Sequence, residues 1–156
     1  MCRRRWTDIH GTLCPQVYAG LAGLFVVSDE EEAGLGLPSG RFDIPIVLQD
    51  RTFDSNNRLF YSGGFMMEAM TGFLGNRVLI NGKADHTLSV DRSVYRIRVL
   101  NGSNARIYKL AWGNETPLTV IDTDGGLLEE PVTKPYVMCW DLENVSMRNY
   151  LVEKSN

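Results

Sequence analysis

Residues Ser93 to Leu128, SVYRIRVLNGSNARIYKLAWGNETPLTVIDTDGGLL, decide the fold class, because they read as three β-strands and their turns. Tyr95, Ile97 and Val99 alternate with Val94, Arg96, Arg98 and Leu100. That period of two puts apolar groups on one face of a strand and two guanidinium groups on the other. Asn101-Gly102 supplies residues that tolerate positive φ, so a chain reversal is expected there. Tyr108, Leu110 and Trp112 share one side of a second run, and in a third Leu118 and Val120 oppose Thr119 and Ile121. Asp124-Gly125-Gly126 closes the block with another turn. Tyr95, Ile97, Val99, Leu110 and Val120 are the expected core, and Arg96, Arg98 and Arg106 the expected polar face or a contact with another domain.

Upstream, the same alternation appears in FDIPIVLQDRTF, where Ile44, Ile46 and Leu48 share a face and Pro45 marks an early or edge position. Asp54 to Arg58 is a polar turn, Leu59 to Tyr61 a brief return strand, and Arg77 to Ile80 a strand ending at Asn81-Gly82. Leu88 and Val90 suggest one more short strand, and Leu24 to Val27 another. Ser28 with Glu31 fits a capping box, and the acidic run Asp29 to Glu32 suits the positive end of a short helix that Gly34, Gly36 and Pro38 stop. Seven to nine short strands with almost no periodic helix imply an all-β sandwich or barrel.

A chain of 156 residues is long enough for one domain of ordinary size. The formal charge of -3 argues against nucleic acid as a partner. No stretch approaches the roughly 18 consecutive apolar residues of a membrane span, so no membrane partner is expected. Met1-Cys2-Arg3-Arg4-Arg5-Trp6 has the charge of a leader, but Thr7, Asp8 and His10 interrupt the apolar segment that would have to follow, so no signal peptide is expected. Cys2, Cys14 and Cys139 have no repeated spacing and read as free thiols. The N-x-S/T triplets at Asn101, Asn114 and Asn144 carry no functional weight.

Few residues could carry chemistry. His10 and His86, far apart in sequence, could meet with a cysteine or aspartate around zinc or copper, although a solvent-facing histidine is the simpler reading of each. Met66, Met67 and Met70 are soft donors for Cu(I) or adaptable packing residues. Asp122, Asp124, Glu129 and Glu130 offer carboxylates, yet no nucleophile or partner base is spaced beside them, and a solvated turn is expected.

The run HGTLCPQVYAGLAGLFVVSDE (His10 to Glu30), followed by LGLP, DIPIVLQDR, VLINGK, YRIRVLNGSNARIYKLA and VIDTDGGLLEEPV, resembles the multicopper oxidases, the bacterial laccase-like, three-domain enzymes in particular. The likeness covers about residues 10 to 138. It implies a cupredoxin-like Greek-key β-sandwich, incomplete in this chain, with one short linker helix. Residues 1–28 would be the tail of a first cupredoxin-like domain, 29–41 a linker, and 42–156 a second domain lacking its C-terminal part. In such enzymes the second domain holds no copper and spaces the two that do.

The family oxidises phenols or metal ions at one copper and reduces O2 at a trinuclear cluster, with about ten histidines and one cysteine as ligands. This chain has two histidines. Aligned with the family's W-x-H-x-H-x-H-G motif, Trp6 and Asp8 occupy the two ligand positions, and His10 corresponds to the third histidine, usually not a ligand. His10 is therefore the single metal-site candidate; no residue is assigned a catalytic or other cofactor-binding role. Past Met138 the family continues with a segment like LAPAERVDVWVDF, where this chain reads CWDLENVSMRNYLVEKSN. The expectation is a laccase-like polypeptide that binds no copper and turns nothing over, or else a non-enzymatic module that self-associates or docks on a partner. A homo-oligomer or the missing oxidase domains are the expected partners. Family members are often periplasmic or secreted.

Overall fold

The computed structural model describes residues 13–61, 72–123, 126–139 and 148–153; the side chains of residues 13, 14 and 148–153 lie outside the description. Its spine is β1 (Asp43–Phe53), an eleven-residue strand paired along both edges. On one edge it runs parallel to β4 (Val94–Asn101), with Ile44 beside Ile97 and Ile46 beside Val99. On the other edge the antiparallel β3 (Arg77–Ile80) joins at Leu48↔Ile80, and β2 (Leu59–Phe60) folds back at Thr52↔Phe60. Asn81 continues this edge beyond β3: its Oδ1 accepts from Val47 N at 2.8 Å, and its Nδ2 donates to the Pro45 carbonyl at 3.0 Å. Pro45 therefore sits in an interior strand at a point where β3 has already ended, so the N–H it lacks costs no ladder bond.

The large sheet has seven strands in the order β2, β1, β4, β9 (Arg148–Glu153), β6 (Leu118–Thr123), β7 (Gly126–Lys134), with β3 added on β1. The last of the described strands thus fills the centre, antiparallel to both β4 and β6. The part of the chain that departs from the family pattern after Met138 nonetheless joins the sandwich. A second sheet pairs β5 (Tyr108–Leu110) with β8 (Val137–Cys139). Leu48, Val99, Leu118, Val120, Val137 and Cys139 form the core between the sheets, with Ile46, Ile97, Tyr108 and Leu110 packed against it. Tyr95, Val99 and Val120 are buried as expected, and Ile97 and Leu110 are half-buried.

Several local expectations are corrected. The expected short linker helix is present, and among the described residues a second short α-helix precedes it. α1 (Leu13–Tyr18) tolerates Pro15 because an N–H in the first turn has no helical partner to lose. α2 (Glu30–Gly34) is capped by Asp29, whose Oδ1 accepts from Glu32 N at 2.8 Å, one residue later than the Ser28 cap. Among the described residues Leu24–Val27 and Leu88–Val90 belong to no named strand. Trp112 lies past the end of β5 and is exposed. A register shift between Val120 and Asp122 breaks the alternation of β6 and buries Ile121 as well as Val120. Asp54 does make the polar turn, accepting from Asn56 N and Arg58 N. The turn at 124–125 and the segment 62–71 lie outside the described residues.

Candidate functional site

The polar residues of β4 are buried, not solvated. Arg96 and Arg98 project from the face opposite Ile97 and Val99, and α2 lies across them. Arg98 forks onto Asp43, its Nε 2.8 and 3.0 Å from the two carboxylate oxygens and its Nη2 2.8 Å from Oδ2. Glu32 Oε1 accepts from Arg96 Nη1 at 2.6 Å and from Arg98 Nη2 at 3.2 Å. Arg96 Nε and Nη2, also buried, have no hydrogen-bond partner among the described residues. Burial pushes the Glu32 carboxyl up, but the hydrogen bonds and charges of Arg96 and Arg98 outweigh it and hold the group below its usual 4.5. A carboxylate depressed in this way adds stability above 4.5, and that contribution is lost as pH falls through the lower folded value. Glu32→Gln is therefore expected to lower stability at neutral pH and flatten the acid limb of the stability curve below about 4.5. Acid titrations of the two proteins with parallel limbs would show that Glu32 is not the coupled group.

A second polar assembly closes the end of β1. Asp50, 1% exposed, accepts from Gly75 N at 2.7 Å and from Arg106 Nε at 2.8 Å. Arg106 Nη2 reaches the Gly75 carbonyl at 2.6 Å. Ser103 Oγ accepts from Asp50 N at 3.0 Å and bonds the Tyr108 hydroxyl at 2.8 Å. Burial, the largest influence, pushes the Tyr108 phenol up to about 12 despite the opposing Ser103 bond. Asn101 donates to the carbonyls of Arg106 (2.7 Å) and Cys139 (3.1 Å) and accepts from Ser103 N (3.0 Å). Neither Asn101 nor Gly102 has positive φ, so the expected reason for this pair is corrected. Asn101 is there for its amide. Gly102 is there for closeness: a Cβ would lie 3.2 Å from Gln49 Cγ and 3.3 Å from the Leu48 carbonyl oxygen.

The N-terminal segment docks on the same sheet. The Tyr18 hydroxyl accepts from Thr52 N and donates to the Phe60 carbonyl, both at 2.7 Å, and its ring packs on Tyr61 and Phe73. Arg51 stacks over that ring and donates to the Val17 carbonyl at 3.0 Å.

Those metal and acid candidates that lie among the described residues are not grouped as metal ligands. His10, Met66, Met67 and Met70 lie outside the described residues. His86 is half-buried on the irregular stretch after Gly82, and Cys139 is fully buried in the core. Asp122 is buried on β6, whereas Glu129 and Glu130 are exposed on β7, and Asp124 is outside the description. Among the described residues no three His, Cys, Asp or Glu side chains group as metal ligands.

Among the described residues the two-stranded sheet leaves part of the inner face of the larger sheet uncovered. Beside Lys109 to Trp112 runs an open apolar groove of about 240 Å³, floored by Ile46, Leu48, Ile80, Ile97, Val99 and Leu118. Leu21 and Phe25 are 71% and 66% exposed in a segment, 21–27, that carries no charge.

The chain is similar to laccase from Bacillus stratosphericus, 40% identical over 126 residues that cover 74% of this chain and 25% of the relative. It is also similar to the cell division protein FtsP of Escherichia coli, 36% identical over 143 residues covering 90% of this chain and 29% of the relative. The chain thus spans little more than a quarter of the length of these curated relatives. Among solved structures, the laccase-like multicopper oxidase CueO of Ochrobactrum sp. superposes with a TM-score of 0.84 at 33% identity, covering 93% of this chain and 32% of that one. A variant of the McoA multicopper oxidase of Aquifex aeolicus gives 0.81 at 38% identity, covering 92% and 32%. No family model matches the chain.

Proposed function

Since the chain belongs to the multicopper oxidase family, with that family's cupredoxin-like β-sandwich, we propose that it is a laccase-like polypeptide that binds no copper of its own and carries out no oxidation. The observation that carries this reading is the histidine count. The whole sequence holds two, against the roughly ten imidazoles that the family's copper chemistry uses. At the aligned ligand positions the Trp6 indole has only a donor N–H and no lone pair to offer, and Asp8 supplies a hard oxygen in place of an imidazole. The polar clusters support the same reading, because their groups are spent on one another: Asp50 on Arg106 and Gly75, Asp43 on Arg98. The purified chain, loaded with copper and desalted, is expected to retain far less than one copper per chain. Its rate of phenol oxidation should be no greater than that of free copper ion. Stoichiometric retention with turnover would overturn the reading.

A second reading, a non-enzymatic interaction module, is favoured by the uncovered inner face and by the exposed apolar segment 21–27. Relatives of this chain include proteins named for cell division.

A further inference from the structure

Asn81-Gly82 forms the exposed tip of the turn that ends β3. The two residues have φ of 50° and 79°, and Ile80 and Lys83 exchange backbone hydrogen bonds of 2.8 and 3.0 Å across them, a two-residue hairpin turn of the kind that asparagine and glycine favour. A Cβ at Gly82 would meet no atom within 4 Å, so water reaches the site freely. In an unstructured chain an Asn-Gly pair is especially prone to deamidation, because no side chain hinders the approach of the glycine nitrogen to the asparagine amide. In that reaction the Gly82 nitrogen attacks Asn81 Cγ: a C–N bond forms, the Cγ–Nδ2 bond breaks, and ammonia leaves with the proton of the Gly82 N–H. Water then opens the cyclic imide at either carbonyl, leaving aspartate or isoaspartate at position 81.

The fold holds this reaction shut. The Asn81 amide is tied to β1 at both of its polar atoms, Oδ1 accepting from Val47 N at 2.8 Å and Nδ2 donating to the Pro45 carbonyl at 3.0 Å, while Asn81 N donates to the Val47 carbonyl at 2.9 Å. With both amide atoms held, Cγ is not free to turn onto the Gly82 nitrogen until the hairpin leaves β1. The hairpin is lightly secured: β3 has four residues, pairs among the described residues with β1 alone, and exposes Arg77 and Val78. Edges of this kind open locally at less cost than the whole domain. The reaction then removes what would close the edge again. An aspartate carboxylate has no N–H for the Pro45 carbonyl and sets a negative charge against its oxygen, and isoaspartate lengthens the backbone of a turn built for two residues. We infer that Asn81 is a deamidation site gated by the docking of β3 on β1, where one opening of the hairpin becomes permanent and bares the β1 edge at Pro45 and Val47.

The test is mass-spectrometric peptide mapping of the full chain, incubated at mildly alkaline pH with and without denaturant. Asn101-Gly102 is the internal control, the same dipeptide with both residues buried. In denaturant the two asparagines are expected to convert at similar rates. In the folded chain Asn81 should convert at least about tenfold more slowly than in denaturant, the factor that about 1.4 kcal/mol of opening free energy gives. It should still run well ahead of Asn101, which waits for global unfolding. The variant Asn81→Asp reproduces one product of the reaction. With its fold checked by circular dichroism, hydrogen exchange at the amides of β3 and of residue 81 should quicken by about tenfold or more relative to the parent. Folded-state conversion of Asn81 as fast as in denaturant, conversion no faster than that of Asn101, or unchanged exchange in Asn81→Asp would each overturn the proposal.

Discussion

Gly75→Ala is expected to destabilise the sandwich by about 3 kcal/mol or more, the upper end of what overpacking does. In a domain of this size that lowers the melting temperature by roughly 10 °C. The cause is a backbone crossing. A Cβ at Gly75 would collide with Arg51 N and lie 2.6 Å from the Asp50 carbonyl carbon and 2.7 Å from that of Arg51, atoms of β1 that no rotamer change can move. The same residue is held by its N–H on Asp50 and its carbonyl on Arg106, so any retreat of the chain strains both bonds. Thermal unfolding of the variant checks this; a loss below about 1 kcal/mol would mean that the crossing is looser than described.

Arg98→Met and Arg96→Met should differ sharply although the two arginines sit two residues apart on one face. Removing Arg98 strips Asp43 of its bidentate partner and leaves Glu32 with one, and breaking a buried pair this way costs about 3 kcal/mol. Asp43 keeps some solvent contact, which places the loss at the lower end of the range for such changes. Arg96→Met forfeits one bond to Glu32 but also removes two buried donors that have no partner among the described residues, each of which carries a desolvation cost of about 1–3 kcal/mol. Its net effect is expected within about 1 kcal/mol of zero. Equal losses for the two variants in denaturant titrations would refute this division of roles.

These two arginines also mark what the sequence could convey. The alternation of Tyr95, Ile97 and Val99 was enough to place β4, because a period of two is a local property. That the opposite face is covered by Glu32, 64 positions earlier in the chain, is not local, and a strand with guanidinium groups reads as half solvated until the cover is seen. The same limit applies to Asn101. An Asn-Gly pair signals a turn through its φ preference, while its role as a buried amide bridge depends on Cys139, 38 positions away. The place of RNYLVE depends on β4 and β6 leaving room between them, which no local pattern in its six residues conveys. The groove was invisible for a related reason: it is set by how many strands each sheet receives, not by any run of residues.

The central position of β9 has a consequence for how the chain reaches its fold. Among the described residues the two halves of the large sheet, β1 with β4 and β6 with β7, are joined through β9, which leaves the ribosome after every strand it pairs with. Until Arg148–Glu153 is available, synthesis carries two partial sheets, each with an open inner edge ready to pair with a neighbour. Closing them joins strands far apart in sequence, β4 to β9 and β1 to β4, a topology that folds slowly. The interval between translation and closure is therefore when this chain is most exposed to aggregation, and chaperone demand should concentrate there.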